Sequence, residues 1–428
     1  TGPGYRAGIS PCSIRRCNRM SQKKAPYELP IGPIHPALKE PINFTFTMNG
    51  EVIEEVDFAP GRAHRGIEWM GMRRNPVQIL HLCDRICGIC GVHHALVFAQ
   101  AVEQIAEIEV PDRAYYVRTI IAEFERIQSH ILWAGVAAHE LGFDTLFYLA
   151  WQLREESVDV IEYITGNRVN YGIIMLGGTR RDITPDMFPR LEQALQYYEG
   201  LLEKMINLFL HDKTIAMRCK NTGILTKRRA LELATVGPTS RASGLAMDVR
   251  IDSPYAAYGD LDFDIVLPDI YSSETTGDVY DRIVVRIFEI KQSIDIIRQC
   301  MKQMPDGPVL AEEKYAKLLM NLKKASGEAF ARVEAPRGED MHYVRMNGKQ
   351  EAPEMWKVKA STYSNQMAWV EILKGEQIAD IPIIVASIDP CMSCTDRVAV
   401  VSHEGHTGIL TKEHLHRLSV EKTRRLQA

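Results

Sequence analysis

Four cysteines stand in two pairs near opposite ends of the chain, Cys87-Gly-Ile-Cys90 and Cys391-Met-Ser-Cys394. Each Cys-x-x-Cys spacing puts two sulfurs within one turn of backbone, close enough to grip a single metal centre together. A zinc ribbon also doubles this motif, but it sets its pairs roughly 15 to 20 residues apart, whereas nearly the whole chain separates these two. A thioredoxin-like dithiol needs only one pair and gives no reason for the second. If all four thiolates meet in a dry pocket, they repel one another and are costly to desolvate. Such a site is stable only with metal bound and hydrogen-bond donors close by.

The elements that position these sulfurs are mostly helical. Residues 43–58 alternate through Phe44, Phe46 and Met48, then Val52, Ile53 and Val56, about Asn49-Gly50, which predicts a hairpin in a small antiparallel sheet. From about residue 93 the apolar period becomes helical. Val117, Ile120, Ile121, Phe124, Ile127 and Ile131 form one stripe. Leu191 to Phe209 forms a second, entered through Thr184-Pro185, and Ile283 to Met301 a third, stopped by Met304-Pro305-Asp306-Gly307. Residues 217–280 are rich in Gly, Pro, Asp and Ser and read as an excursion with short strands, and 305–365 reads similarly. Ile381 to Ser387 reads as a short buried strand leading into Asp389-Pro390-Cys391. The expected class is α+β, predominantly α: a long-helix bundle with small peripheral antiparallel sheets.

Composition narrows the function classes. The 428 residues are 46% hydrophobic and 25% charged with a formal net charge of -4, and the charges of both signs are interspersed, so no nucleic-acid partner is expected. No apolar run reaches the roughly 18 residues of a membrane span. Nine cysteines in so long a chain fit a reducing compartment better than a disulfide scaffold. Residues 1–19, with Cys12 and Cys17 among four arginines, make a poor signal peptide and read as an extension whose cysteines are dispensable. One main unit is expected over 20–397, comprising an N-terminal β part (about 27–60), a helical core (about 90–304) and a C-terminal metal-binding part (about 330–397). A tail follows over 398–428, where Thr411 onward reads as the start of a basic amphipathic helix.

Arg85-Ile-Cys87-Gly-Ile-Cys90-Gly-Val-His93-His94 resembles the first signature of nickel-iron hydrogenase large subunits, and Asp389-Pro-Cys391-Met-Ser-Cys394-Thr-Asp-Arg397 resembles the last. Further segments are similar to the membrane-associated, energy-converting branch: Gly32-Pro-Ile-His35-Pro, Arg65-Gly-Ile-Glu68, Gly166 to Tyr171, Val236 to Arg241, Gly277 to Arg282 and Glu334 to Glu339. The resemblance runs from about residue 30 to residue 400. That branch is related to the 49-kDa quinone-site subunit of respiratory complex I, which lacks the cysteine quartet.

The resemblance implies a role for each matching residue. Cys87 and Cys391 would be terminal nickel ligands. Cys90 and Cys394 would bridge nickel to an iron carrying carbon monoxide and cyanide. Glu40 would take protons from Cys391, and Arg337 would hang its guanidinium over the open face of the metals. His94 would hydrogen-bond a bridging sulfur, leaving His93 to packing or capping, and Ser361 or Thr362 would donate to a cyanide. Many relatives in other branches have histidine where Arg397 stands, helping to bind a cation with the glutamate matching Glu68. An arginine cannot ligate a cation, so a Glu68–Arg397 salt bridge is expected instead. His35, Glu140 and Asp144 match segments near the quinone cavity of the complex I relative, and are either redox-coupling groups or ordinary polar residues at a subunit interface.

The implied activity is interconversion of hydrogen with protons and electrons, with evolution from a low-potential donor such as ferredoxin, coupled to ion translocation by membrane partners. An iron-sulfur small subunit would deliver electrons, since no further cysteine cluster remains on this chain. Further hydrophilic and membrane subunits and a maturation endopeptidase, which in the family cuts just after the position of Arg397, complete the implied partners; residues 398–428 are either such a precursor tail or are retained. The location implied is peripheral, on the cytoplasmic side of the cell membrane. A related membrane oxidoreductase with a modified site, or a non-catalytic metal or zinc scaffold, are the alternatives.

Overall fold

The predicted hairpin forms within a three-stranded antiparallel sheet of β1 (Tyr27–Ile31), β2 (Asn43–Asn49) and β3 (Val52–Ala59) in a computed structural model that describes residues 26–312, 314–395 and 412–427. Phe44, Phe46 and Met48 all point into the core, and the turn passes through Gly50 at φ 67, a left-handed conformation that glycine adopts without strain. After α1 (Ile67–Gly71) comes α2 (Pro76–Cys83), which opens on a reciprocal cap between Asn75 and Gln78 with proline in its first turn.

The long helices follow: α3 (Gly91–Ala106), α4 (Asp112–Glu140) and α5 (Asp144–Thr165). A two-stranded ribbon, β4 (Ile174–Met175) and β5 (Gly178–Thr179), leads through a 3-10 turn at Pro185–Met187 into α6 (Phe188–Leu210). The sequence predicts one apolar stripe for α4, and the structure buries the helix on nearly every side between α5, α11 (Val279–Gln303) and its other neighbours. Its polar residues therefore need internal partners. Arg118 pairs with Glu103 at 2.6 Å, Arg126 with Glu123 at 3.2 Å, and His130 with Glu289 at 2.8 Å.

Two expectations fail. Residues 217–280 hold no strand. After α7 (Lys213–Cys219) they fold as α8 (Lys227–Glu232), α9 (Gly237–Ala242), α10 (Val249–Asp252) and two 3-10 turns. Each short helix begins at a side-chain cap or a first-turn proline: Thr226, Pro238 and Asp248. A run rich in cap residues thus makes single turns of helix rather than extended chain.

Following α12 (Tyr315–Lys324), the 305–365 region supplies the second sheet, β6 (Ser326–Ala335), β7 (Gly338–Asn347) and β8 (Met355–Lys359), with β6 and β7 longer than the short pieces expected. The chain then passes through α13 (Ser361–Asn365) and α14 (Ala368–Ile372). The second failure is Ile381–Ser387, which is α15, a helix buried against α4 and α11, with Pro382 in its first turn. A short, wholly apolar run carries no period by which helix and strand can be told apart. The basic tail helix is present as α16 (Lys412–Gln427). Cys12, Cys17 and Arg397 lie outside the described residues.

Candidate metal centre

The two cysteine pairs meet. Cys87 and Cys90 lie in the loop between α2 and α3, Cys90 being the residue that precedes the first turn of α3. Cys391 and Cys394 lie in the turn after α15. Sγ of Cys391 is 3.2 Å from Cys87 and 2.8 Å from Cys394, and Cys90 is 3.8 Å from Cys394. All four sulfurs fall within 4.8 Å of one another, and all four residues are buried. Four soft donors closed around one point fit a thiophilic metal centre and give no role to a lone redox dithiol.

Side chains tie the loops together. The Arg65 guanidinium donates to the carbonyls of Arg85 at 2.8 Å and Ile86 at 2.6 Å in the first loop and to that of Ser393 at 2.9 Å in the second. Thr362 Oγ1 accepts from the Cys391 N–H at 2.9 Å, and Glu40 accepts from the Ser393 N–H at 3.0 Å. At Gly91 an added Cβ would come within 2.9 Å of the Asp84 carbonyl, so the first loop closes on α2 only with glycine there.

The charge around the sulfurs is organised. Asp389 sits at φ 53, uncommon for a residue with a side chain, and its carboxylate pairs with Lys39 at 2.9 Å and Arg337 at 3.2 Å. Burial opposes its ionisation, but Arg337, Lys39 and Arg286 overcome that and hold it at about 2. Burial likewise disfavours a charged Arg337, and the charges of Asp389, Cys391 and Cys87 more than restore it. Arg337 Nη1 stands 3.9 Å from Cys87 Sγ. Without metal, hydrogen bonds from Cys391, Cys394 and Cys90 hold Cys87 well below its ordinary value, while burial drives Cys394 far above it. Burial and then the charge of Cys87 raise the Glu40 carboxyl.

Arg337 is placed by backbone packing. Pro336-Arg337 is the two-residue turn between β6 and β7, since Ala335 pairs with Gly338. This turn lies against the start of α9 so closely that a Cβ on Gly237 would meet the Gly338 Cα at 2.3 Å. Glu334, just before the turn, takes Arg241 at 2.8 Å and the Val249 N–H at 3.2 Å on its carboxylate, and its carbonyl accepts from Arg126 at 2.6 Å. The Val236 to Arg241 and Glu334 to Glu339 segments are thus one clamp.

The other sequence candidates take these places. His94 Nε2 is 3.3 Å from Cys394 Sγ. His93, expected to pack or cap, is wholly buried and lies 2.6 Å from Glu125, whose carboxylate also accepts from the N–H groups of Val92 and His93. Ser361 is buried, and its N–H donates to Asp340 at 2.8 Å. Glu68 accepts from Lys357 at 2.7 Å and from the Val358 N–H at 3.1 Å. His35 and Asp144 are exposed, Asp144 pairing with His139 at 2.8 Å, and burial raises the partly covered Glu140.

Sequence reasoning missed Lys39, Asp340, His342, Glu125 and the stapling role of Arg65. Lys39 adjoins Glu40 and Arg65 begins the Arg65-Gly-Ile-Glu68 segment, so their positions beside known candidates were the available signal. His342 and Glu125 sit mid-strand and mid-helix, where nothing in the local pattern sets them apart.

The comparisons agree with this geometry. Residues 140–397 match the family described as the 49 Kd subunit of respiratory-chain NADH dehydrogenase, and residues 65–134 match nickel-dependent hydrogenase. The membrane-bound hydrogenase subunit alpha of Pyrococcus furiosus is 43% identical over 408 residues, covering 94% of this chain and 95% of that one. The carbon monoxide-induced hydrogenase of Rhodospirillum rubrum is 38% identical, covering 87% and 99%. The structure of a membrane-bound sulfane sulfur reductase, an archaeal respiratory membrane complex, aligns with TM-score 0.80 and 30% identity over 88% of this chain and 100% of its own. Among the described residues no helix is long and apolar enough to cross a membrane. With its four sulfurs gathered in one buried site, the chain belongs to the family joining nickel-iron hydrogenase large subunits to the 49-kDa subunit of complex I, as a hydrogenase catalytic subunit of the membrane-bound, energy-converting branch.

Proposed function

We propose that this subunit interconverts hydrogen with protons and electrons at a nickel-iron pair held by Cys87, Cys90, Cys391 and Cys394, evolving hydrogen from a low-potential donor such as ferredoxin while membrane partners translocate ions. The observation that carries the reading is the convergence of four buried sulfurs from both ends of the chain within 4.8 Å. When bound, the pair, with carbon monoxide and cyanide on the iron, would supply heterolytic cleavage and formation of the covalent H–H bond. By the family resemblance, Cys87 and Cys391 would hold the nickel alone and Cys90 and Cys394 would be shared between nickel and iron.

The chain's own residues then handle charge and protons. Glu40, partly buried and raised toward its protonated form, is held by the Ser393 N–H against the turn that carries Cys391, and would exchange a proton with that thiolate. Arg337, locked against Asp389, keeps a fixed positive charge beside Cys87, balancing the thiolates. Thr362 orients the Cys391 backbone, and Ser361 or Thr362 offers a hydroxyl to a cyanide. Electrons come from an iron-sulfur small subunit, on the cytoplasmic side of the membrane, and residues 398–428 are either trimmed by an endopeptidase once nickel is in place or retained, which mass spectrometry of the active complex decides.

The test is elemental analysis of the purified complex together with infrared spectroscopy and hydrogen production from reduced ferredoxin. Nickel, iron and the sharp carbon monoxide and cyanide bands are expected together. A second reading, a membrane oxidoreductase acting on another substrate, is favoured by the structural likeness to the sulfane sulfur reductase. Nickel-free complex lacking hydrogen production would select it.

A further inference from the structure

We propose that Trp356 and His342 are positioning residues that fix His94 in the one tautomer that donates a hydrogen bond to Cys394. The proposal rests on the nickel-iron reading above, but it concerns only this chain's own hydrogen-bond directions.

The chain of three rings begins with a group that has no choice. An indole N–H donates and never accepts. Trp356 Nε1 lies 3.3 Å from His342 Nδ1, which must therefore present its lone pair. His342 is wholly buried, and burial, followed by the proximity of His94, keeps it neutral. A neutral imidazole that accepts at Nδ1 carries its proton on Nε2. That atom is 3.3 Å from His94 Nδ1, so His94 receives a donor there and must itself be neutral with its proton on Nε2. His94 Nε2 faces Cys394 Sγ at 3.3 Å and Asp340 Oδ2 at 3.5 Å. Each step has one solution, and the direction is set at the far end by tryptophan.

The surrounding structure holds the starting point still. The Trp356 ring lies against Gly71, where a Cβ would come within 2.1 Å of it, and makes an edge contact with Phe98 at 5.5 Å. His342 and Trp356 lie on neighbouring strands, β7 and β8, in the register that pairs His342 with Val358 and Val344 with Trp356. Against this sheet packs α3, which carries His94. Absent the indole N–H, the two imidazoles could reverse together and turn a lone pair toward the sulfur, an arrangement that repels a thiolate rather than stabilising it.

Two substitutions test the relay in the assembled complex. Trp356→Phe removes the terminal donor, and His342→Phe removes both ring nitrogens while keeping an aromatic ring in place. Each is expected to lower turnover about 10- to 100-fold, as loss of a group supporting a metal ligand does. More tellingly, each should move the infrared carbon monoxide band to lower wavenumber, because a sulfur without its hydrogen bond leaves more electron density on the iron. Val358→Ala loosens the same sheet without touching the relay and is expected to leave the band in place. Unshifted bands in the two phenylalanine variants, or an equal shift in Val358→Ala, would overturn the proposal. Should Trp356→Phe fail to assemble, His342→Phe decides alone. Wild-type complex without nickel or these bands would sink the functional reading instead, so the two failures are distinguishable.

Discussion

Glu40 and Glu125 are both carboxyls raised chiefly by burial, yet their surroundings assign them different work. Glu40 touches the turn that holds Cys391 and Cys394, and Glu40→Gln keeps an oxygen for the Ser393 N–H while losing the exchangeable proton. Hydrogen evolution is expected to fall about 10²- to 10⁴-fold with nickel and iron content unchanged; a mutant turning over at the wild-type rate would remove Glu40 from the proton path. Glu125 is pushed up to about 8 by burial, against the pull of the Val92 and His93 N–H groups. In the unfolded chain it ionises near 4.5. Between these values the folded state holds a proton that the unfolded state has released, so stability from this group falls as pH rises from 4.5 to about 8. Asp84, raised to about 7, adds a slope of the same sign. Thermal unfolding followed across this range should show a flatter decline in Glu125→Gln than in wild type. An identical slope in the two proteins would show that Glu125 is ionised in the folded state.

At the scale of elements, the turn bearing Arg337 depends on glycine facing glycine. Gly237 has φ 67, and a Cβ there would meet backbone at 2.3 Å, which no side-chain rotation can relieve. Gly237→Ala is therefore expected to cost about 1 to 3 kcal/mol in denaturant unfolding and to lower turnover by displacing Arg337. Wild-type unfolding and turnover in that variant would show that the clamp is slack. This also shows what was legible beforehand. The paired cysteines, the three apolar stripes and the β2–β3 hairpin announced themselves through spacing, because period and turn chemistry are local properties. Ile381–Ser387 did not, since a fully buried run is apolar in every conformation. Nor did 217–280, whose cap residues read equally as loop. His342 and Trp356 were invisible for another reason: their partner His94 is brought to them only by the packing of α3 on the second sheet.

At the scale of the molecule, Arg65 and Glu40 from the first part of the chain hold the last described turn before the tail in place against Cys87 and Cys90. Without a cation the buried sulfurs are held together only by weak thiol–thiolate hydrogen bonds around Cys87, in place of the metal bonds that would tie the two ends of the chain at that junction. Removal of the metals is expected to lower the unfolding temperature and to open the 389–395 turn to limited proteolysis, while the α4–α5–α11 bundle stays protected. Equal protease resistance with and without metal would mean that hydrogen bonds alone close the junction.

That junction has a consequence for how the protein is made. A ribosome translating this message releases Cys87 and Cys90 early and must read through most of the remaining codons before Cys391 and Cys394 exist. Until then no nascent chain, however well its helices have condensed, owns a complete set of donors. The inorganic centre can therefore be enclosed by all four donors only once Cys391 and Cys394 have been made and brought back to the loop that waits for them.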